Sequence, residues 1–417
     1  LLFVLVLGAF FFYFIFPRKR LSFKTILFLG IIGRLILFGS MPNLSDDLYR
    51  FIWDGELIYN EINPYAHTPN ESLHFLDKPE LYKNLNSKNY YSVYPPMMQA
   101  SFLMSTYWGD DIFVNVFFFR LLLLISEIGI LLLLVRILRI IKSNETWVAI
   151  YAFNPLIILE VIGNLHFESM MICFFLFGFY LLIKSDLNRA SIMLAALFFA
   201  FGICTKLTLA LVLPVLLFRV PFKKFIELGG YTLVFSFLLF LPFMSNQLIQ
   251  NISSSLDLYF RSFEFNASIF YLVNGLSSLN QGWDTVQYVG PIVSFLGLLL
   301  ILYFSVFREK KNWIAFFEKA QIAYFIYLVF STTVHPWYLI NLIFLSVFTR
   351  KVYPLVWSFL VFLSYYMYAN DLREPPLLLA LEYSTVFIVF YFELFRSQKF
   401  KQVLSRVPLF QEDDNPK

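Results

Sequence analysis

Residues 112–135 read IFVNVFFFRLLLLISEIGILLLLV. Asn115, Arg120, Ser126 and Glu127 are the polar side chains in this run. About 20 mostly apolar residues in helical form span the hydrocarbon core of a bilayer. Lipid offers no hydrogen-bond partner to the backbone, so a run of this kind must satisfy its own amides as a helix. Similar runs recur near 1–16, 25–40, 147–163, 169–183, 190–205, 207–218, 225–243, 290–307, 320–334, 336–349, 353–368 and 376–395. Together they predict an all-α polytopic membrane protein of about 13 spans. The run at 207–218 is short, so 190–218 is expected to hold broken or re-entrant helices.

Composition agrees. The 417 residues are 59% hydrophobic and 14% charged. Soluble domains are nearer half apolar and a quarter charged. The 1–16 run has no basic segment before it and no clear small-residue cleavage site, so it reads as a membrane helix rather than a signal peptide. Cys173 and Cys204 lie inside apolar runs and offer neither metal-ligand spacing nor a disulfide framework.

Charge orients the chain. Arg18, Lys19, Arg20 and Lys24 follow the first run, and Arg136, Arg139 and Lys142 the third. Lys184, Arg189, Arg219, Lys223, Lys224, Arg308, Lys310, Lys311, Lys319, Arg350 and Lys351 fall after later odd-numbered runs. With the basic residues of the tail, these are most of the 32 Lys and Arg residues. The positive-inside rule makes that side cytoplasmic, with the N-terminus outside and the C-terminus inside. Residues 1–400 then form a single transmembrane module, and 401–417 a cytoplasmic tail. Two loops on the outer side are long, 41–111 and 244–289. The first is acidic, and polar mass on one face predicts work done there.

That first loop opens with Ser45-Asp-Asp-Leu-Tyr-Arg-Phe-Ile-Trp-Asp-Gly-Glu56. Ser45 is a good N-cap, and Asp46 and Asp47 suit the first turn of a helix. Leu48, Phe51, Ile52, Leu57 and Ile58 make 47–59 a candidate interfacial amphipathic helix. Two readings of Asp46 and Asp47 stay open: they cap that helix, or one of them takes a proton from a substrate hydroxyl or holds a divalent cation. Proline makes Asn63-Pro-Tyr65 and Tyr94-Pro-Pro96 rigid turns, suited to shaping a groove.

Further polar residues sit at outer ends of runs: Asn164, His166, Glu168, Lys206 and His335. Ionisable groups at such depth are costly and face a cavity or one another. Lys206 interrupts an apolar stretch and can bind a phosphate as a point charge. Trp337 reads as a belt aromatic. Arg34 and Arg120, inside runs, are expected to pair with nearby Asp or Glu. Phosphate-cradling P-loop, dinucleotide glycine fingerprint and His-Glu-x-x-His motifs are absent from the sequence. No nucleic-acid partner is expected.

In this order the residues resemble the GT-C superfamily of membrane glycosyltransferases, with the best match to bacterial polyprenyl-phosphate-mannose-dependent mannosyltransferases. The resemblance runs over roughly 40–340. It rests on Ser45 to Glu56, Asn60-Glu-Ile-Asn-Pro-Tyr65, Tyr94-Pro-Pro96, Asn154-Pro155 with Glu160, Gly163-Asn164 with His166, Thr205-Lys206 and His335-Pro-Trp-Tyr338. It departs at Glu168, where relatives often carry Asp, and at Glu56, where a basic residue is common. The resemblance implies an outward catalytic loop and a lipid-linked sugar phosphate as donor. It also implies inversion at the sugar carbon and an acidic residue early in the loop acting on the acceptor.

On that reading Asp46 and Asp47 are catalytic, with Asp46 favoured as the base. Arg50, Asp54, Tyr94, His166, Glu168, Lys206 and His335 bind substrates. The partners the resemblance implies are a polyprenyl-phosphate sugar, with mannose as the sugar, a glycan or glycolipid acceptor, and the bilayer. The expected location is a bacterial inner membrane, with the site facing the periplasm or exterior. No cofactor is certain from the resemblance; a divalent cation (Mg or Mn) at Asp46 or Asp47 is the one candidate. The competing readings are a lipid-linked sugar flippase or secondary transporter, which buried ionisable residues would also serve, and an envelope scaffold.

Overall fold

The computed structural model describes residues 2–15, 21–281, 286–306, 312–366 and 375–410. Within these the chain is helical, and the one β-type pairing is an isolated bridge between Phe265 and Thr333. Among the described residues five helices are long and apolar enough to cross a bilayer: Ile112–Ile140, Phe222–Phe243, Val286–Val306, Trp313–Phe330 and Pro376–Phe395. A bent pair, Glu145–Ala152 with Pro155–Gly163 at 54°, makes a sixth candidate, as a broken span or a re-entrant loop. The break has a local cause. Asn154 caps the second half through its side chain, which accepts from the Leu156 amide at 3.0 Å, and Pro155 begins it.

The other runs form shorter helices or lose α-helical form. Leu2–Ile15, Phe23–Leu35, Glu168–Lys184 and Arg189–Ile203 are α-helical. The 207–218 run becomes two 3₁₀ stretches, Leu207–Leu211 and Leu213–Phe218, so the expected break in 190–218 falls at Cys204 to Lys206. Part of the basic pattern that orients the chain, including Arg18, Lys19, Arg20, Arg308, Lys310 and Lys311, lies outside the described residues.

Residues 41–111 are a folded cap built from the helices Asp47–Tyr59, Pro69–Ser72, Pro79–Lys83 and Pro96–Tyr107. Asp47–Tyr59 is not an interfacial helix. Every residue from Leu48 to Leu57 except Tyr49 is buried. The reason lies at Gly55. A Cβ there would sit 2.6 Å from the Phe102 carbonyl and collide with Thr106, so only glycine allows Pro96–Tyr107 to cross this closely.

Aromatic packing carries the cap onto the spans. Phe51 stacks on Phe102 at 4.7 Å and meets Phe119 of the Ile112–Ile140 helix at 6.1 Å and Phe167 at 5.7 Å. The two proline turns meet, with the Tyr65 hydroxyl donating to the Tyr94 carbonyl at 2.6 Å. The second long loop supplies the helices Leu248–Arg261 and Ile269–Gln281. It docks on the first through Asn63 Nδ2 to the Phe243 carbonyl and Asn251 Nδ2 to the Tyr65 carbonyl, each at 2.9 Å.

The two intramembrane arginines part company. Arg34 pairs with Glu127 as expected, Nη2 to Oε2 at 2.6 Å, and Tyr151 donates to the other carboxylate oxygen at 2.6 Å. Arg120 takes backbone carbonyls instead of a carboxylate. That corrects the expectation of an acidic partner.

Candidate active site

Three chain breaks and one helix start converge at the end of the bundle that carries the cap. The first break follows the broken span. Ile158–Gly163 is a π-helix, a form with one extra residue per turn that recurs at functional sites. Leu165 then takes a left-handed φ of 65°, a strained conformation for a bulky residue. This turn buries His166 and starts the helix Glu168–Lys184.

The second break carries Lys206, in extended conformation between the helix Arg189–Ile203 and the 3₁₀ stretch. The cap is tied to this break, because the Met97 amide donates to the Cys204 carbonyl at 2.8 Å. The third break, before Pro336–Leu339, presents His335. The Phe265 amide donates to the Thr332 carbonyl at 3.1 Å and the Val334 amide to the Phe265 carbonyl at 2.8 Å, so the second long loop holds this segment.

Lys206 is the electrostatic hub. Its Nζ lies 3.1 Å from Glu168 Oε1, with the lysine side chain 21% exposed and the carboxylate nearly closed off. Glu168 Oε2 and His335 Nδ1 are buried without a hydrogen-bond partner among the described residues. Both imidazoles stack on the Trp337 indole, His166 at 3.7 Å and His335 at 4.3 Å between centroids. Trp337 is thus buried within the site and is not a belt aromatic. Burial lowers the His166 pKa well below the usual range, with help from the Lys206 charge and then His335. Burial, then Lys206, brings His335 down to about 3. Both rings are therefore neutral at pH 7. The 3.5 Å approach of His166 Nε2 to Glu160 Oε2 is accordingly a polar contact and not an ion pair.

The carboxylate pair stands at the start of Asp47–Tyr59. Asp46 rather than Ser45 occupies the N-cap position, it is exposed, and it makes no side-chain capping bond. Ser45 serves the turn differently, its Oγ accepting from the Asp47 amide at 3.3 Å. Asp47 is half-buried and receives Asn86 Nδ2 at 3.5 Å. Burial raises its pKa, and the Lys206 charge is the largest influence in the opposite direction. The structure thus brings Asp47, His166, Glu168, Lys206 and His335 into one electrostatic group, with Asp46 at its exposed edge.

Arg50, Asp54 and Tyr94 sit differently. Arg50 Nε donates to Asp54 Oδ1 at 2.7 Å, and its Nη1 holds the carbonyls of Ser87 at 3.1 Å and Tyr90 at 2.9 Å. Asp54 Oδ2 accepts from Ser92 and, at 3.0 Å, from Gln99. The Tyr94 ring packs against Phe51 and Phe102, at 5.1 and 5.5 Å. These contacts hold the cap together. Glu56 is covered by Lys78 at 3.3 Å.

Sequence reasoning missed Tyr365, whose hydroxyl donates to Glu160 Oε1 at 2.7 Å, and the caging role of Trp337. No sequence signal reaches across the separation of Tyr365 from Glu160. Among the described residues no group of three or more His, Cys, Asp or Glu side chains comes together to hold a metal. Asp46 and Asp47 are thus not joined by a third such side chain among the described residues.

The chain is thus a helical protein with apolar helices long enough to cross a membrane, and carboxylates, one lysine and two neutral histidines gather where three of its helices break. The family model described as alpha-(1->6)-mannopyranosyltransferase, N-terminal domain, matches residues 12–220, half of the chain. The chain belongs to this family, and its kinship with GT-C mannosyltransferases holds. No curated protein matches the chain.

Proposed function

We propose that the protein transfers mannose from a polyprenyl-phosphate donor to a hydroxyl of a glycan or glycolipid acceptor, with inversion, on the outer face of a bacterial inner membrane. The observation that carries this is Lys206, anchored by Glu168 beside two neutral imidazoles and acting electrostatically on Asp47. The leaving group is a lipid phosphate, and a fixed cation stabilises the charge that develops on it. Lys206 is the group for that; His335 Nδ1, as the N–H tautomer, can donate to a phosphate oxygen, and Glu168 Oε2 can accept from a sugar hydroxyl. Asp46, exposed at the edge, takes the proton of the acceptor hydroxyl. The hydroxyl oxygen bonds to the anomeric carbon as the bond from that carbon to the phosphate oxygen breaks. Asp47, between Asp46 and Lys206, keeps the acceptor and donor sides in register.

The family name supports an α-1,6 linkage as the first one to assay. The shorter apolar helices add to the long ones to give about 13 crossings or partial crossings, with the N-terminus outside and the tail 401–417 inside. Asp46 or Asp47 together with the donor phosphate would hold a divalent cation (Mg or Mn) if one takes part, and loss of transfer in EDTA with recovery on adding Mg would show that it does.

The test is a membrane assay with radiolabelled polyprenyl-phosphate mannose, comparing wild type with Asp46→Asn. Label passing to an acceptor in wild type and not in the variant supports the reading. Movement of intact donor across the membrane without transfer would replace it with the flippase reading.

A further inference from the structure

Two helix ends meet at one buried guanidinium. Arg120, 1% exposed, lies within the Ile112–Ile140 helix. Its Nε donates to the Ile162 carbonyl at 2.8 Å and Nη2 to the Gly163 carbonyl at 3.3 Å. Its Nη1 donates to the Phe38 carbonyl at 2.8 Å and to the Ser40 carbonyl, and Nη2 reaches Ser40 Oγ at 3.2 Å. Ile162 and Gly163 are the last residues of the π-helix, one residue before the strained Leu165 and His166. Phe38 and Ser40 close the turn after Phe23–Leu35, directly before the segment that leads to Asp46 and Asp47.

The physical chemistry favours this residue type. The last carbonyls of a helix have no partner within it and carry partial negative charge. Two such ends side by side repel unless a cation lies between them. Arginine offers five donors in a planar fork, enough to serve both at once, whereas lysine offers three from a single point. A buried cation without a carboxylate partner is costly, and here four backbone carbonyls take that place.

We propose that Arg120 is a positioning residue that fixes the register between the two segments bearing the chemistry: the turn that carries His166 and the lead-in to Asp46 and Asp47. This rests on the proposed transferase reading. Displacing reacting groups by about 1 Å can cost on the order of 100-fold in rate, and one side chain spanning both segments is placed to prevent that.

The experiment uses the full chain in membranes with Arg120→Met and Arg120→Lys. Amide hydrogen exchange is read over 36–46, over 161–167 and, as a control, over Tyr353–Leu360. In Arg120→Met exchange should rise in both segments together and stay unchanged in the control. The kcat for mannose transfer should fall about 100-fold while donor KM stays near wild type, since Lys206 is untouched. Arg120→Lys keeps the buried charge but serves fewer carbonyls, so protein yield should recover while kcat does not. Faster exchange in one segment alone, or wild-type kcat in the lysine variant, overturns the proposal. A wild-type protein that transfers no mannose would instead sink the functional reading, and the exchange data would still decide whether Arg120 couples the two segments.

Discussion

The two halves of the helix Asp47–Tyr59 carry acidic residues under opposite conditions. Asp54, one turn beyond Arg50, has both oxygens occupied by Arg50, Ser92 and Gln99 and is fully buried. Asp46, at the helix start, is exposed and caps nothing with its side chain. The two lie close in sequence and share one residue type. What separates them is saturation. A carboxylate with both oxygens engaged by the protein holds structure, and one without such partners has bonding capacity left for a substrate. Asp47 stands between these limits, half-buried, touched by Asn86 and influenced by Lys206.

The largest expected effect would break this comparison outright. Asp46→Asn keeps the shape and removes the base, so transfer should fall about 100- to 10,000-fold with protein yield unchanged. Asp54→Ala should act through folding, because it leaves Arg50 buried and unpaired. Losing one partner of a buried pair costs about 3–5 kcal/mol, seen as lower yield and melting temperature. Equal activity loss at normal stability in both variants would mean that saturation does not sort these carboxylates. If Asp46→Asn transfers normally and Asp47→Asn does not, the base moves by one residue. If both transfer normally, the cap is not the catalytic centre.

Lys206→Met comes next, with an expected loss of about 100-fold in donor kcat/KM, the scale of removing one donor to a developing anion. Unchanged kcat/KM would take Lys206 out of the donor site.

A smaller effect concerns pH. Burial holds the Asp47 pKa above the ordinary carboxylate value, and Lys206 counters it. If transfer needs Asp47 ionised, activity should fall as pH drops through a value above that of a free aspartate, about 3.9. Lys206→Met removes the countering charge, so residual activity should fail at a higher pH than in wild type. An acid limb that does not move would separate Asp47 from Lys206.

The smallest effect is structural and sharpens the orientation. Cysteine at exposed Asp77 should react with an impermeant thiol reagent in intact cells, and cysteine at exposed Asp186 should not. Labelling of position 186 from outside would invert the topology.

A second pair repeats the lesson. Arg34 and Arg120 are both arginines inside apolar runs, and sequence gave no ground for treating them differently. Arg34 finds Glu127 on a neighbouring helix, and Arg120 finds the carbonyls of two helix ends. The sequence reading anticipated a break in 190–218 because the run at 207–218 is short, whereas it took 147–163 as one span and missed the break that Asn154 and Pro155 make there. It misjudged 47–59 as interfacial because its apolar stripe was visible, whereas the close crossing at Gly55 depends on a helix brought in by later residues.

By itself the sequence determined the helical membrane class, the acidic first loop and most of the polar residues that gather at the candidate site. Those features follow from local rules: hydrocarbon requires internally bonded helices, and ionisable groups in apolar runs need a reason to be there. The tertiary structure alone decided which of those residues meet. Lys206 lies beside Glu168, His166 and His335 stack on one indole, and Arg50 with Asp54 turns inward to hold the cap. Hydrogen bonds and charge contacts act over a few ångströms in space, and distance along the chain carries no information about them.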